Sequence, residues 1–168
     1  YTLVASETGQ PVIAVEAHPG TFELLRHNVV RNGRDNVHLV PLAASSGEET
    51  VSFTDGTMLE LNRVVTDPGA DEPTLNVPST TLDKLCEELG LRPTIVKIDV
   101  EGHEESVLSG FERGLNQADL LLIEHGSRPT VAEPLRECGF CGPFHYSART
   151  RTFARAPQPE PTTATTEP

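Results

Sequence analysis

Three acidic residues close short apolar runs in this 168-residue sequence, and that placing is its first sign of chemistry. Glu16 ends Pro11 to Glu16 (PVIAVE), Asp99 follows Thr94 to Ile98 (TIVKI), and Glu124 ends Asp119 to Glu124 (DLLLIE). Runs of this length, rich in Val, Ile and Leu, read as strands buried on both faces of a parallel sheet. In open sheets of that kind, ligands sit outside the carboxyl ends of the strands. A carboxylate there can accept hydrogen bonds from vicinal ribose hydroxyls, which suits Glu16, or it can simply cap the helix that begins near Pro19. Any one of the three acids is as readily polar punctuation as a ligand. Their convergence on one sheet edge is harder to dismiss. Of the six histidines, His103 and His125 stand out because they follow acid-bearing strand ends.

Other site chemistries lack their signals. No two of the 13 glycines are separated by a single residue, so G-x-G-x-x-G is absent, as are G-x-x-x-x-G-K-[ST], H-E-x-x-H and G-x-S-x-G. Cys138 and Cys141 form a C-x-x-C, but no second ligand pair stands at zinc spacing, and no strand-to-helix turn carries the motif as thiol-redox chemistry requires. No metal site is expected.

The elements that must position the acids follow from periodicity and punctuation. After Glu16, Pro19 suits a first helical turn, Phe22, Leu25 and Val29 recur at helical spacing, and Asn32-Gly33 supplies a stop. Val37 to Leu42 (VHLVPL) reads as a second strand, its proline arguing for a bulge or an edge. Glu49 to Thr54 (ETVSFT) is a candidate strand, and Asp67 to Pro78 carries enough Pro, Gly and Asp for a surface loop. Ser79 and Thr80 are candidate caps for a helix over Leu82, Leu85, Cys86 and Leu89, stopped by Gly90. Val107, Leu108 and Phe111 mark a helix after Asp99, Thr130 to Glu137 a short one, and the segments around His145 and Phe153 a hairpin. From Ala156 the sequence APQPEPTTATTEP has no large apolar residue to offset the entropy of ordering, and a disordered tail is predicted over 156–168. One domain over 1–155, of doubly wound α/β class, is the expectation.

Thirteen basic residues against 25 acidic ones give a formal charge of -12, which repels phosphate backbones and anionic lipid, so nucleic acid is not an expected partner. No apolar run approaches the roughly 20 residues of a membrane span. The odd cysteine count favours a reducing compartment, and a cytoplasmic protein is expected. The oligomeric state has no signal in the sequence.

One segment goes further than class. Ile95-Val96-Lys97-Ile98-Asp99-Val100-Glu101-Gly102-His103-Glu104, continued by Val107-Leu108-Ser109-Gly110, closely resembles the K-I-D-V-E-G-x-E…V-L-x-G signature of FkbM-type methyltransferases. Val15-Glu16-Ala17-His18-Pro19 with Leu25, Asn28 and Asn32-Gly33 resembles that family's ribose-binding strand and helix, with Ala17 replacing the usual proline. Val40-Pro41-Leu42-Ala43-Ala44-Ser45 and Leu122-Ile123-Glu124 are similar to two further family segments, so that the likeness runs from Tyr1 to about Phe153. The resemblance implies a Rossmann-like class I methyltransferase sheet with S-adenosylmethionine as cofactor and a hydroxyl of a sugar or small secondary metabolite as acceptor. It places Glu16 on the ribose and the backbone of Ala43 and Ala44 beside the adenine. Asp99, Glu101 and Glu124 would line the methyl-transfer cleft, with Asp99 the first candidate for a general base and His125 the second.

Family members open with an apolar strand and a D-x-G-A-N-x-G loop, whereas Tyr1 to Ser6 resembles the helix that follows it. The expectation is therefore a sheet lacking its first, central strand, with a slot between the strands at Val12 to Glu16 and Thr94 to Ile98, and weak cofactor binding by these residues alone. Two other readings share the acids. A nicotinamide-dependent oxidoreductase would need the dinucleotide glycine fingerprint, and a degenerate methyltransferase fold would serve as a binding module without activity.

Overall fold

The computed structural model describes residues 1–56, 63–65, 73–124, 131–147 and 149–155. The tail from Ala156 and His125 lie outside the described residues. The chain divides into two compact units, Tyr1–Pro129 and Thr130–Pro168.

The first unit alternates strands and helices: α1 (Thr2–Ser6), β1 (Val12–Val15), α2 (Pro19–Arg31), β2 (Val37–Val40), β3 (Ala43–Ala44), β4 (Thr50–Thr54), β5 (Val64–Val65), β6 (Thr74–Thr80), α3 (Leu82–Leu89), β7 (Ile95–Asp99), α4 (Glu104–Ser109), α5 (Glu112–Leu115) and β8 (Leu120–Glu124). The second holds α6 (Ala132–Glu137) and the antiparallel hairpin of β9 (Phe144–Ser147) and β10 (Thr152–Arg155), as the aromatic pattern predicts.

Local chemistry sets most boundaries. Pro19 opens α2 at a position that needs no N–H, His18 caps it by accepting the Thr21 N–H on Nδ1, and Gly33 (φ 60°) follows its end. Gly90 closes α3 in the left-handed conformation (φ 64°). The cap of α3 is Thr81, whose Oγ1 accepts the Lys84 N–H at 3.1 Å, and not Ser79 or Thr80. Those two residues end β6 and pair with Ala43 and Ala44, so their backbone is committed to the sheet. Pro41 does not bulge β2 but terminates it. Thr74 to Pro78, read above as loop, belongs to β6, because Leu75 and Val77 alternate with polar residues and bury one face. Pro78 has no N–H to give, and the ladder resumes with Ser79 N–H donating to the Glu49 carbonyl at 2.7 Å.

Two parallel pairs carry the strand-end acids. β1 pairs with β2 from Val12↔Val37 to Val15↔Val40, and β7 pairs with β8 from Ile95↔Leu120 to Asp99↔Glu124. The two pairs are not hydrogen-bonded to each other, and among the described residues the second edge of β1 and that of β7 have no strand partner. A separate sheet of order β3-β6-β4-β5 buries Ala43, Val51, Phe53 and Val77. Ile98, Val107, Phe111 and Leu115 form the buried side of β7 and of the helices after it.

Gly110, between α4 and α5, meets the backbone carbonyl of Ser45. A Cβ there would lie 2.1 Å from that oxygen, a backbone atom that cannot swing away as the end of a side chain can. Gly110→Ala is expected to destabilise the chain by about 1–3 kcal/mol in urea melts. Gly47→Ala, at a glycine with open space around it, should change little, and equal losses for the two would show that the contact at Ser45 is unimportant.

Candidate active site

The carboxyl ends of β1 and β7 open into one cavity of about 870 Å³. Glu16, Ala17, Ala43, Ala44, Asp99, Glu101 and His103 line it near those ends, and consecutive residues of β1 and β7 line it along their unpaired edges. Side chains of a strand alternate between faces, so a cavity that touches successive residues runs along the strand edge. Of the sequence-predicted site residues, Glu16, Ala43, Ala44, Asp99 and Glu101 are brought together on this wall; Glu124 stands beside Asp99 in register without lining the cavity.

Glu16 is half-buried just past β1. One carboxylate oxygen accepts the His18 N–H at 2.8 Å, and it does not cap α2, since His18 does. Burial pushes the Glu16 carboxyl up from the usual carboxylate range, and the His18 N–H pulls it back in part. His18 itself is buried, with Nε2 3.1 Å from Asp55 Oδ1, which fixes the start of α2 over the β4 end.

Asp99 and Glu124 share one cation that sequence reading passed over. Lys97 Nζ donates to Asp99 Oδ2, lies 3.6 Å from Glu124 Oε2, and sits 4.4 Å above the ring of Tyr1. The signal was present, because Lys97 stands two residues before Asp99, on the same strand face, inside an otherwise apolar run. Removal of the lysine would leave two carboxylates side by side.

The turn after β7 is made by two residues with positive φ, Glu101 (50°) and Gly102 (100°). A glutamate in that region is strained by about 1–2 kcal/mol, and the turn directs it to the cavity wall. Gly102 N–H is held by Glu104 Oε1 at 2.9 Å, and Glu104 is itself buried. His103 follows, with Nε2 3.1 Å from Ser45 Oγ across 58 residues of chain. Burial pushes its imidazole below the ordinary value, an effect that Glu104 and Glu49 partly offset. Ser45, 1% exposed, also meets Ser106 Oγ at 3.1 Å. No local pattern announces Ser45, whose partners are remote in sequence.

Cys138 and Cys141 are free and exposed, and no cluster able to hold a metal occurs among the described residues. Among those residues no helix is long and apolar enough to cross a membrane.

Parallel strands with acids at their carboxyl ends beside one cavity are the arrangement of open α/β sheets that take ligands at that edge. The model of the methyltransferase FkbM domain matches residues 1–141, and the chain belongs to that family, whose fold is Rossmann-like. It is similar to the hexuronic acid methyltransferase AglP of Haloferax volcanii, with 30% identity over 115 residues that take in 67% of this chain and 46% of that protein. The chain thus spans about half the length of that relative. No solved structure matches it significantly.

The raised Glu16 carboxyl has a stability consequence. The native state holds that proton to higher pH than the unfolded chain does, so stability falls as pH rises from the unfolded value of about 4.3 to the higher native one, and is level above it. Glu16→Gln should lack this loss. Urea midpoints measured against pH should therefore diverge in favour of Glu16→Gln across that window, and parallel curves would rule out the burial effect.

Proposed function

We propose that the protein transfers a methyl group from S-adenosylmethionine to a hydroxyl of a sugar or small secondary metabolite. The observation that carries this reading is the convergence of Glu16, Asp99 and Glu101 on one cavity in a chain of a methyltransferase family. The similarity to a hexuronic acid methyltransferase supports a glycan or small-molecule acceptor. The residues suit the cofactor. Glu16 accepts backbone N–H groups of its own turn, from Ala17 and His18, and a carboxylate has acceptor capacity beyond these, which suits a ribose diol, and Ala43 and Ala44 present little beyond backbone, which suits a flat ring. The cofactor supplies an electrophilic methyl on a cationic sulfonium. The carboxylates of Glu16, Asp99 and Glu101 attract that cation. Asp99, tethered by Lys97, orients the acceptor. Glu124 holds Lys97 from the next strand, and His125 stays a second candidate for proton transfer. The domain on this reading runs over 1–155, the tail after it has no part in catalysis, and the work is done in the cytoplasm.

The unpaired edges of β1 and β7 favour a companion reading, that the cavity between them receives a further parallel strand carrying a glycine-rich loop from outside the 168 residues. Each buried backbone group left without a partner costs about 1–3 kcal/mol, so these residues alone are weakly stable and act as a fold with little cofactor affinity. A nicotinamide-dependent oxidoreductase shares Glu16 but not the D-V-E-G-H-E segment.

Calorimetric titration of S-adenosylmethionine into this chain and into a version extended through such a strand should show binding in the longer one only; equal affinity would sink the companion reading. In the longer protein, Glu16→Ala should weaken the cofactor about 10–100-fold through loss of charge-assisted hydrogen bonds worth about 1.5–3 kcal/mol. Asp99→Asn should lower turnover of hydroxylated sugars. Unchanged turnover would remove Asp99 from the mechanism.

A further inference from the structure

The hydroxyls packed against His103 determine which of its nitrogens carries the proton. A serine hydroxyl has one hydrogen to give. Ser106 Oγ donates its hydrogen to Ser46 Oγ at 3.2 Å and accepts the Ser46 N–H, also at 3.2 Å. With the Ser106 hydrogen on Ser46, the donor in the 3.1 Å contact between Ser45 and Ser106 is Ser45. Ser45 has then spent its only hydrogen, and in its contact with His103 it must accept, so that Nε2 carries the N–H and Nδ1 a lone pair. Although His103 stands at the N-cap of α4, its side chain makes no capping bond, and Nδ1 has no partner among the described residues. His18 is the contrast. It holds Thr21 N–H with Nδ1 and is fully engaged.

We infer that His103, which lines the cavity and has an unpartnered Nδ1, is the residue that takes the hydroxyl proton during methyl transfer, an inference that rests on the O-methyltransferase reading above. Burial keeps the ring neutral near pH 7, as a base must be. Asp99 is less suited, because accepting a proton would break its ion pair with Lys97. In the step, the hydroxyl oxygen bonds to the methyl carbon and displaces a neutral thioether, the carbon–sulfur electron pair leaving on sulfur. The hydroxyl proton passes to Nδ1. The resulting imidazolium keeps its Nε2–H bond to Ser45 and later loses the Nδ1 proton to water.

Two measurements test this. Two-bond proton–nitrogen NMR of the histidine-labelled full-length enzyme at neutral pH should show His103 neutral with Nε2 protonated, and Ser45→Ala should erode that preference; a ring protonated on Nδ1 would overturn the inference without any assay. In the full-length enzyme, His103→Gln should lower kcat about 10²–10⁴-fold while leaving the affinity for S-adenosylhomocysteine unchanged. A methyl ether formed at full rate by His103→Gln would overturn the inference alone. A product methylated on a carboxylate, which has no proton to lose, would overturn the hydroxyl reading together with it.

Discussion

The close approach of Gly110 to the Ser45 carbonyl ties together the segments on which the rest of the first unit depends. It brings the end of β3 against the junction of α4 and α5, and the Gly110 carbonyl in turn accepts the Asp83 N–H from the first turn of α3. Asp83 then holds the N–H groups of Arg113 and Gly114 with its two carboxylate oxygens. Three elements far apart in sequence are thereby fixed to one backbone contact that tolerates no side chain. Ser45 reaches His103 and Ser106 only because this contact seats it between β3 and α4.

Electrostatics at the strand ends follow from Lys97 set among several anions. Lys97 is charge-paired to two strand-end carboxylates and lies over Tyr1, so the acids of β7 and β8 stand as a partly neutralised pair and not as a bare cluster. Glu16 has backbone N–H groups and a buried setting but, among the described residues, no lysine or arginine beside it, which makes it more sensitive than Asp99 to what is placed there. The wall is thus graded, from a loosely held carboxylate at β1 to a tightly held one at β7.

Sequence reading reached the features that are local. β1, α2 with Pro19 and Gly33, α3 with Gly90, and the strand ends carrying Glu16, Asp99 and Glu124 each rest on residues within a few positions of one another, and the structure has them where periodicity and capping place them. What escaped depends on partners remote in the chain. Pro78 looks like loop until β4 is found beside it, and three successive hydroxyls at Ser79, Thr80 and Thr81 offer no local reason to choose the last as the cap. Ser45 has no motif, because its role is written in His103 and Ser106. The acids were visible as types and spacing, whereas their partition between a paired and an unpaired state was not.

The left-handed Glu101 sets backbone strain against the charge of the cavity wall at a single position. Glycine would relax the backbone there, and a residue of that kind introduced for heat resistance would raise the melting temperature while emptying one carboxylate from the cavity wall. A screen that selected only for survival at high temperature would therefore drift toward glycine at this position, retaining the fold while removing a carboxylate from the cavity wall.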